Sequence, residues 1–257
     1  MILDRIIAAK KAEVRTAGTR MSPALLEAAA RAAAPARDFR AALTGRHFAI
    51  IAEVKRRSPS RGVLREGIDP VRVAARYERN GAAAVSVLTD GPFFGGSIED
   101  LRAVSRSAGI PVLRKDFIVD PLQIYEARAA AADSLLLIAG ILEREQLRDF
   151  LALSRSLGMT PLVEVHGRDD LDKALEAGAE IVGINNRDLQ TFRTDLRRTL
   201  ELAALVPKDR IVVSESGIST PDHIRMLRDA GVRAFLIGEA LMTAPDTGEK
   251  LRELLSC

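Results

Sequence analysis

Five apolar runs of this 257-residue chain end in two functional side chains spaced two apart. They are Glu53 and Lys55, Lys115 and Phe117, Glu164 and His166, Asn185 and Arg187, and Ser214 and Ser216. On a strand, residues i and i+2 share a face, so each pair should point one way at a strand's C-terminal end. Two carboxylates and two amines gathered in one cleft would perturb each other's proton affinities, which is what general acid–base catalysis near neutral pH requires. Lys115 admits two roles. Desolvated, with a lowered pKa, it would attack a carbonyl and form a Schiff base. Kept protonated, it would donate a proton to a carbonyl oxygen. The residue types leave both open, and they leave open a structural ion-pair network in which the four charges merely offset one another.

A second group suits an anion. Ser214-Glu215-Ser216-Gly217 and Leu236-Ile237-Gly238-Glu239 close the last two apolar runs, and small residues there let backbone N–H groups approach a phosphate. Glu239 fits such a site only if its N–H faces the anion and its carboxylate turns away. Lys55-Arg56-Arg57, with Arg61 and Arg65, forms a local basic cluster that reads as an anion site within a cleft. Asn185 and Arg187 offer a hydrogen-bond donor and a planar cation for hydroxyl or carboxylate groups, or else pack at a rim with Asp188. His166 reads as a hydrogen-bonded rim residue, and Gly95-Gly96-Ser97 as a helix cap. His47, His166 and His223 lack metal-ligand spacing, and the one cysteine, Cys257, does not join them, so no metal site is expected. No strained elbow supports a serine hydrolase.

These residues need elements that bring them together. Strands are predicted at Ala49–Lys55, Ala83–Asp90, Ile110–Phe117, Ser134–Gly140, Thr160–His166, Ile181–Arg187, Arg210–Gly217 and Arg233–Gly238. Helices are predicted at Pro70–Asn80, Ile98–Ala108, Pro121–Ala132, Glu143–Leu157, Arg168–Ala177, Asp195–Leu205, Pro221–Ala230 and Gly248–Leu255. Eight alternating βα units fit a (β/α)8 TIM barrel, in which strand C-termini meet at one mouth. The rival, an open doubly wound sheet, would want a glycine-rich loop after its first strand, and Glu53-Val54-Lys55-Arg56-Arg57-Ser58 is not one. Two helices are expected before the first strand, one through Ile2, Leu3, Ile6 and Ile7 and one opened by Ser22-Pro23. No linker divides the chain, so residues 1–257 read as one domain with 1–47 as an N-terminal helical extension. The stretch from Arg56 to Asp69 is long for a βα loop and reads as a lid over an anionic substrate.

Composition sets limits. The chain is 47% hydrophobic with no Trp, and 4% aromatic, too few rings for base-stacking nucleic-acid modules. Its net charge of +3 (38 basic against 35 acidic) is small and interspersed, unlike the basic stripe of a nucleic-acid surface. No apolar run reaches the roughly 18 residues of a membrane span, and the first residues are charged too early for a signal peptide. The expectation is a cytoplasmic protein, a monomer or weak homo-oligomer, that acts on a small molecule without nucleic acid or membrane.

Six stretches together resemble the indole-3-glycerol phosphate synthase family. They are Glu53-Val54-Lys55-Arg56-Arg57-Ser58-Pro59-Ser60, Leu113-Arg114-Lys115-Asp116-Phe117, Leu162-Val163-Glu164-Val165-His166, Gly183-Ile184-Asn185-Asn186-Arg187-Asp188-Leu189, Val213-Ser214-Glu215-Ser216-Gly217-Ile218 and Phe235-Leu236-Ile237-Gly238-Glu239. No single one is specific; their order is. The resemblance implies a (β/α)8 barrel with extra N-terminal helices that needs no cofactor and no metal. It implies conversion of 1-(2-carboxyphenylamino)-1-deoxyribulose 5-phosphate to indole-3-glycerol phosphate, with release of carbon dioxide and water. By the same resemblance, Lys115 is the general acid at the carbonyl, Glu164 the second acid–base group, and Glu53 its partner carboxylate. Lys55 then binds the substrate's anionic groups, and Asn185 and Arg187 position its hydroxyl and carboxylate. Ser58, Ser216, Gly217, Gly238 and Glu239 contact the substrate, the last two chiefly as phosphate-binding backbone, and Phe117 lines the slot for the anthranilate ring. The nearest rival is another phosphate-binding barrel, a lyase or isomerase using Lys115 as a Schiff base. A non-catalytic barrel binding an anion through Lys55–Arg65 is a more distant one.

Overall fold

A computed structural model describes residues 2–20, 22–188 and 191–257. Eight strands are short, mostly apolar and almost wholly buried: β1 (Ala49–Val54), β4 (Ala84–Leu88), β5 (Val112–Lys115), β6 (Ser134–Ile138), β7 (Leu162–Val165), β8 (Ile181–Asn185), β9 (Ile211–Glu215) and β10 (Ala234–Ile237). All pair in parallel, in the order β1-β10-β9-β8-β7-β6-β5-β4, and β4 closes back on β1. The predicted (β/α)8 barrel is present, with each strand one to four residues shorter than expected; Glu53, Lys115, Glu164 and Asn185 stay within the strand ends, and Lys55, Phe117, His166 and Arg187 fall in the loops that follow.

Alternation sorts the side chains. Ala49, Ile51, Leu113, Leu162, Ile181, Ile211, Val213 and Ala234 fill the barrel, whereas Ile50, Ala52, Val54, Val85, Val163 and Ile184 face outward against the helices. Those helices are α4 (Pro70–Arg79), α6 (Ile98–Ser107), α7 (Pro121–Ala129), α8 (Arg144–Ser156), α9 (Arg168–Glu176), α10 (Arg197–Ala203), α11 (Pro221–Asp229) and α13 (Thr247–Leu255). Their starts are written locally. Asp69-Pro70, Asp120-Pro121 and Thr220-Pro221 each place a capping oxygen before a proline at the first helical position, and each cap accepts backbone N–H bonds. Ser97 caps α6 by accepting from Asp100 N at 3.1 Å, as the Gly95-Gly96-Ser97 reading expects. Ser22 holds the N-cap position of α2 (Pro23–Ala32) but makes no side-chain capping bond.

Three short helices were not expected. Before β1, and after α1 (Ile2–Arg20) and α2, comes α3 (Phe39–Thr44). Its Phe39 and Leu43 enter the interior cluster and plug the N-terminal end of the barrel. α5 (Gly91–Phe94) follows β4, and α12 (Glu239–Thr243) follows β10. Runs of four to six residues are too short for a helical period to register.

The long loop after β1 is folded. β2 (Arg57–Ser58) and β3 (Gly62–Val63) make a small hairpin. Arg56 pairs with Asp100 and donates to Gly95 O, Arg57 donates to Gly91 O and Pro92 O, and Arg65 donates to Ala244 O. The expected basic cluster therefore divides. Arg56, Arg57 and Arg65 hold the loop to the barrel, and only Lys55 and Arg61 line the cavity, because protein carbonyls and Asp100 already engage the other three guanidiniums.

Candidate active site

One cavity of about 700 Å³ opens at the C-terminal ends of the strands. Every residue singled out above as catalytic or substrate-binding lines it: Glu53, Lys55, Ser58, Lys115, Phe117 and Glu164, then Asn185, Arg187, Ser216, Gly217, Gly238 and Glu239. Leu189, the last residue of one family-like stretch, lies outside the described residues.

At the floor, Lys115 Nζ lies 3.3 Å from Glu164 Oε2 and 3.9 Å from Glu215 Oε2, and Lys55 Nζ lies 2.6 Å from Glu53 Oε1. Glu164 and Glu215 are each 2% exposed. Burial alone would strip the proton from Lys115, but Glu164, Glu215 and Glu53 outweigh it and raise its pKa. Burial pushes Glu164 the other way, yet Lys115, His166 and Asn185 hold its carboxyl below the usual range. Glu215 rises well above that range, by burial first and by the adjoining Glu164 second. Within one contact shell the three groups are pushed in different directions, Lys115 toward the ammonium, Glu164 toward the carboxylate and Glu215 toward the neutral acid.

Two glycines make the carboxylates fit. A Cβ at Gly183 would overlap Glu215 Oε1, and one at Gly238 would overlap Glu53 Oε1. Gly238 thus has a packing reason to be glycine besides any contact with an anion. The Glu239 carboxylate does not lie free in the cavity: it accepts from Arg61 Nε at 2.9 Å and from Arg187 Nη2 at 2.8 Å. Asn185 Oδ1 accepts from Arg187 N at 3.0 Å, which ties the pair at the end of β8 to each other.

Ser214 is the expectation that fails. It is buried with its Oγ against Asn186 Nδ2 at 3.0 Å and Thr199 Oγ1 at 2.9 Å, so it faces α10 and not the mouth. The pair Ser214/Ser216 does not share a face, because Ser216 takes a left-handed φ of 67° and ends the strand. Glu215, overlooked as an acid–base group, points inward instead, following Ile211 and Val213. That alternation was the signal for it. His166 stays beside the cavity rather than in it, with Nε2 3.3 Å from Glu164 Oε1. The apolar wall was overlooked as well: Ile2, Leu3 and Ile6 of α1 and Phe94 of α5 line the cavity, and the Phe94 and Phe117 rings stand 6.0 Å apart.

The family model described as indole-3-glycerol phosphate synthase matches residues 3–254. An indole-3-glycerol phosphate synthase of Roseiflexus sp. (strain RS-1) is 52% identical, over 98% of this chain and 97% of its own length. One of Alkaliphilus metalliredigens (strain QYMF) is 46% identical, over 100% and 98%. Among solved structures, thiamine phosphate pyrophosphorylase from Pyrococcus furiosus superposes with a TM-score of 0.60 at 18% identity, over 81% of this chain and 94% of that one. That likeness carries the barrel alone.

Proposed function

Because the chain belongs to the indole-3-glycerol phosphate synthase family, we propose that the cluster of Lys115, Glu164 and Glu53 closes the indole ring of 1-(2-carboxyphenylamino)-1-deoxyribulose 5-phosphate. The activity is that of a carboxy-lyase on a small-molecule substrate. In this reading Lys115, already protonated, donates to the ketone oxygen as the aryl carbon bearing the carboxylate attacks the ketone carbon. Carbon dioxide leaves and the ring regains aromaticity. Glu164, ionised, then takes a proton from the neighbouring methylene and passes it to the new hydroxyl, which leaves as water and completes the indole. Glu53 partners the charges, and Lys55 binds an anionic group.

Around this centre, Asn185 and Arg187 orient the substrate hydroxyl and carboxylate, and Ser58 contacts the substrate from the loop. Phosphate lies against the backbone of Ser216, Gly217, Gly238 and Glu239. Phe117 flanks the anthranilate ring. The loop 56–69 closes over the bound molecule. The reading takes residues 1–257 as one domain working in the cytoplasm. Among the described residues no helix is long and apolar enough to cross a membrane.

The observation that carries the assignment is the 3.3 Å contact between Lys115 Nζ and Glu164 Oε2, with the lysine's pKa raised. A Schiff-base lysine needs the opposite shift. The chain has no Trp, so indole fluorescence appearing on addition of the carboxyphenylamino sugar phosphate is product and nothing else. Steady turnover is expected. Borohydride trapping of a substrate adduct on Lys115, or no indole signal, would overturn the assignment.

A further inference from the structure

Beside the reacting centre lies a buried cation that the reaction does not use. Lys10 of α1 is 1% exposed. Its Nζ lies 3.0 Å from Asp116 Oδ1, 3.3 Å from Asp90 Oδ2 and 2.8 Å from Glu13 Oε2. Each buried aspartate holds the backbone that carries one aromatic residue of the cavity. Asp116 sits between Lys115 and Phe117 and accepts from Phe117 N at 2.8 Å. Asp90 caps α5, accepting from Phe93 N at 2.8 Å and Phe94 N at 3.2 Å. On α1, Leu3 and Ile6 lie seven and four residues before Lys10, on the same helix face, and both line the cavity.

We propose that Lys10 is a positioning residue for the ring-binding end of the cavity: by clamping Asp90 and Asp116 it fixes α1, Phe94 and Phe117 as one apolar wall. Lys10 does not itself line the cavity, so it acts through those neighbours. The cluster balances two cations, Lys10 and Arg114, against Asp90 and Asp116, with Glu13 and Glu126 at its edge. Arg114 reaches Asp116 and Glu126. Without Lys10, Asp90 has no cation within salt-bridge distance among the described residues, and a buried carboxylate left so is driven to move toward water. α5 would move with it, and α1 would lose its anchor. A wall that touches substrate and transition state alike acts on binding, so its loss raises KM and spares kcat. The proposal rests on the indole-forming reading only for the identity of the ring.

The test uses the full chain, wild type and Lys10→Met. Calorimetric titration with indole-3-glycerol phosphate and with glycerol 3-phosphate compares a ligand that has the ring with one that lacks it. The variant is expected to bind the indole compound about tenfold more weakly, to raise KM by a similar factor, and to bind glycerol 3-phosphate as the wild type does. Equal weakening of both ligands, or kcat falling in step with the folded fraction at unchanged KM, would overturn the proposal. Should Lys10→Met not fold, the double variant Asp90→Asn/Lys10→Met removes the stranded charge but still lacks the clamp. The same split is expected of it, and wild-type binding of both ligands would refute the clamp. Absence of turnover by the wild-type chain would count against the reaction alone, since the titrations read the wall without chemistry.

Discussion

Two clusters of buried charge share the end of β5, and they are satisfied to different degrees. Arg114 and Asp116 point away from the barrel axis. Arg114 donates to Thr89 Oγ1, Gln123 O and Asp116 and pairs with Glu126, and Asp116 accepts from Thr89, Phe117 N and Arg114 while Lys10 lies beside it. Lys115, between them in sequence, points the other way. It reaches Glu164 at 3.3 Å and Glu215 only at 3.9 Å, and Glu215 Oε1 has no hydrogen-bond partner. Buried polar groups are normally paired. The outward cluster obeys and is scaffold. The inward cluster leaves donors and acceptors over, and a substrate is what can take them up. One strand end serves both because its side chains alternate.

The sharpest way to break this comparison is to remove charge from the inward cluster. Lys115→Ala should lose about 10²–10⁴-fold in kcat, the range for a general acid–base group, while the chain still folds, with a urea midpoint lowered by the loss of the partner of Glu164. Glu164→Gln should lose turnover on the same scale. Near-normal turnover with lost stability in either variant would make the inward cluster scaffold too. The converse variant, Arg114→Met, strips one partner from the outward cluster. Breaking a buried pair this way destabilises by about 3–5 kcal/mol, read as a shift in urea midpoint at constant slope. An unchanged midpoint would mean that the bonds of Arg114 contribute nothing to holding β5 against α7.

What the sequence shows follows the same division. All eight barrel strands and their large helices are legible because each buries a face over several turns or pleats. The inward acids and lysines at 53, 55, 115 and 164 are legible because strand parity carries them. Glu215 escapes for a local reason: Ser214 and Ser216 look like a matched pair, and nothing in their types announces the left-handed turn at Ser216. Counting from Val213 would have placed Glu215 inward. The apolar wall from α1 escapes because it depends on where a helix outside the eight βα units docks. The docking is written in Lys10, Asp90 and Asp116, residues far apart in the chain whose meeting no period encodes. Arg56, Arg57 and Arg65 look like ligands for an anion because sequence shows their charge and not the carbonyls and carboxylate that occupy them.

The smallest expected effect sharpens the inward cluster from within. An unfolded glutamate titrates near pH 4.3, whereas burial and Glu164 raise Glu215 well above that in the folded chain. The folded state therefore holds a proton that the unfolded state gives up. Stability then falls as pH rises above about 4.3, by at most about 1.4 kcal/mol per pH unit, until the folded value is passed. Glu164 has the reverse sign: its lowered pKa contributes stability above its unfolded value, lost as pH falls through the folded one. Glu215→Gln keeps the shape of the protonated acid and cannot ionise. Its thermal midpoint should match the wild type near pH 4 and exceed it increasingly as pH rises above about 5, until the folded value of Glu215 is passed. A constant offset across that range would mean that Glu215 is ionised in the folded chain, and the trio of Lys115, Glu164 and Glu215 would then hold two carboxylates rather than one.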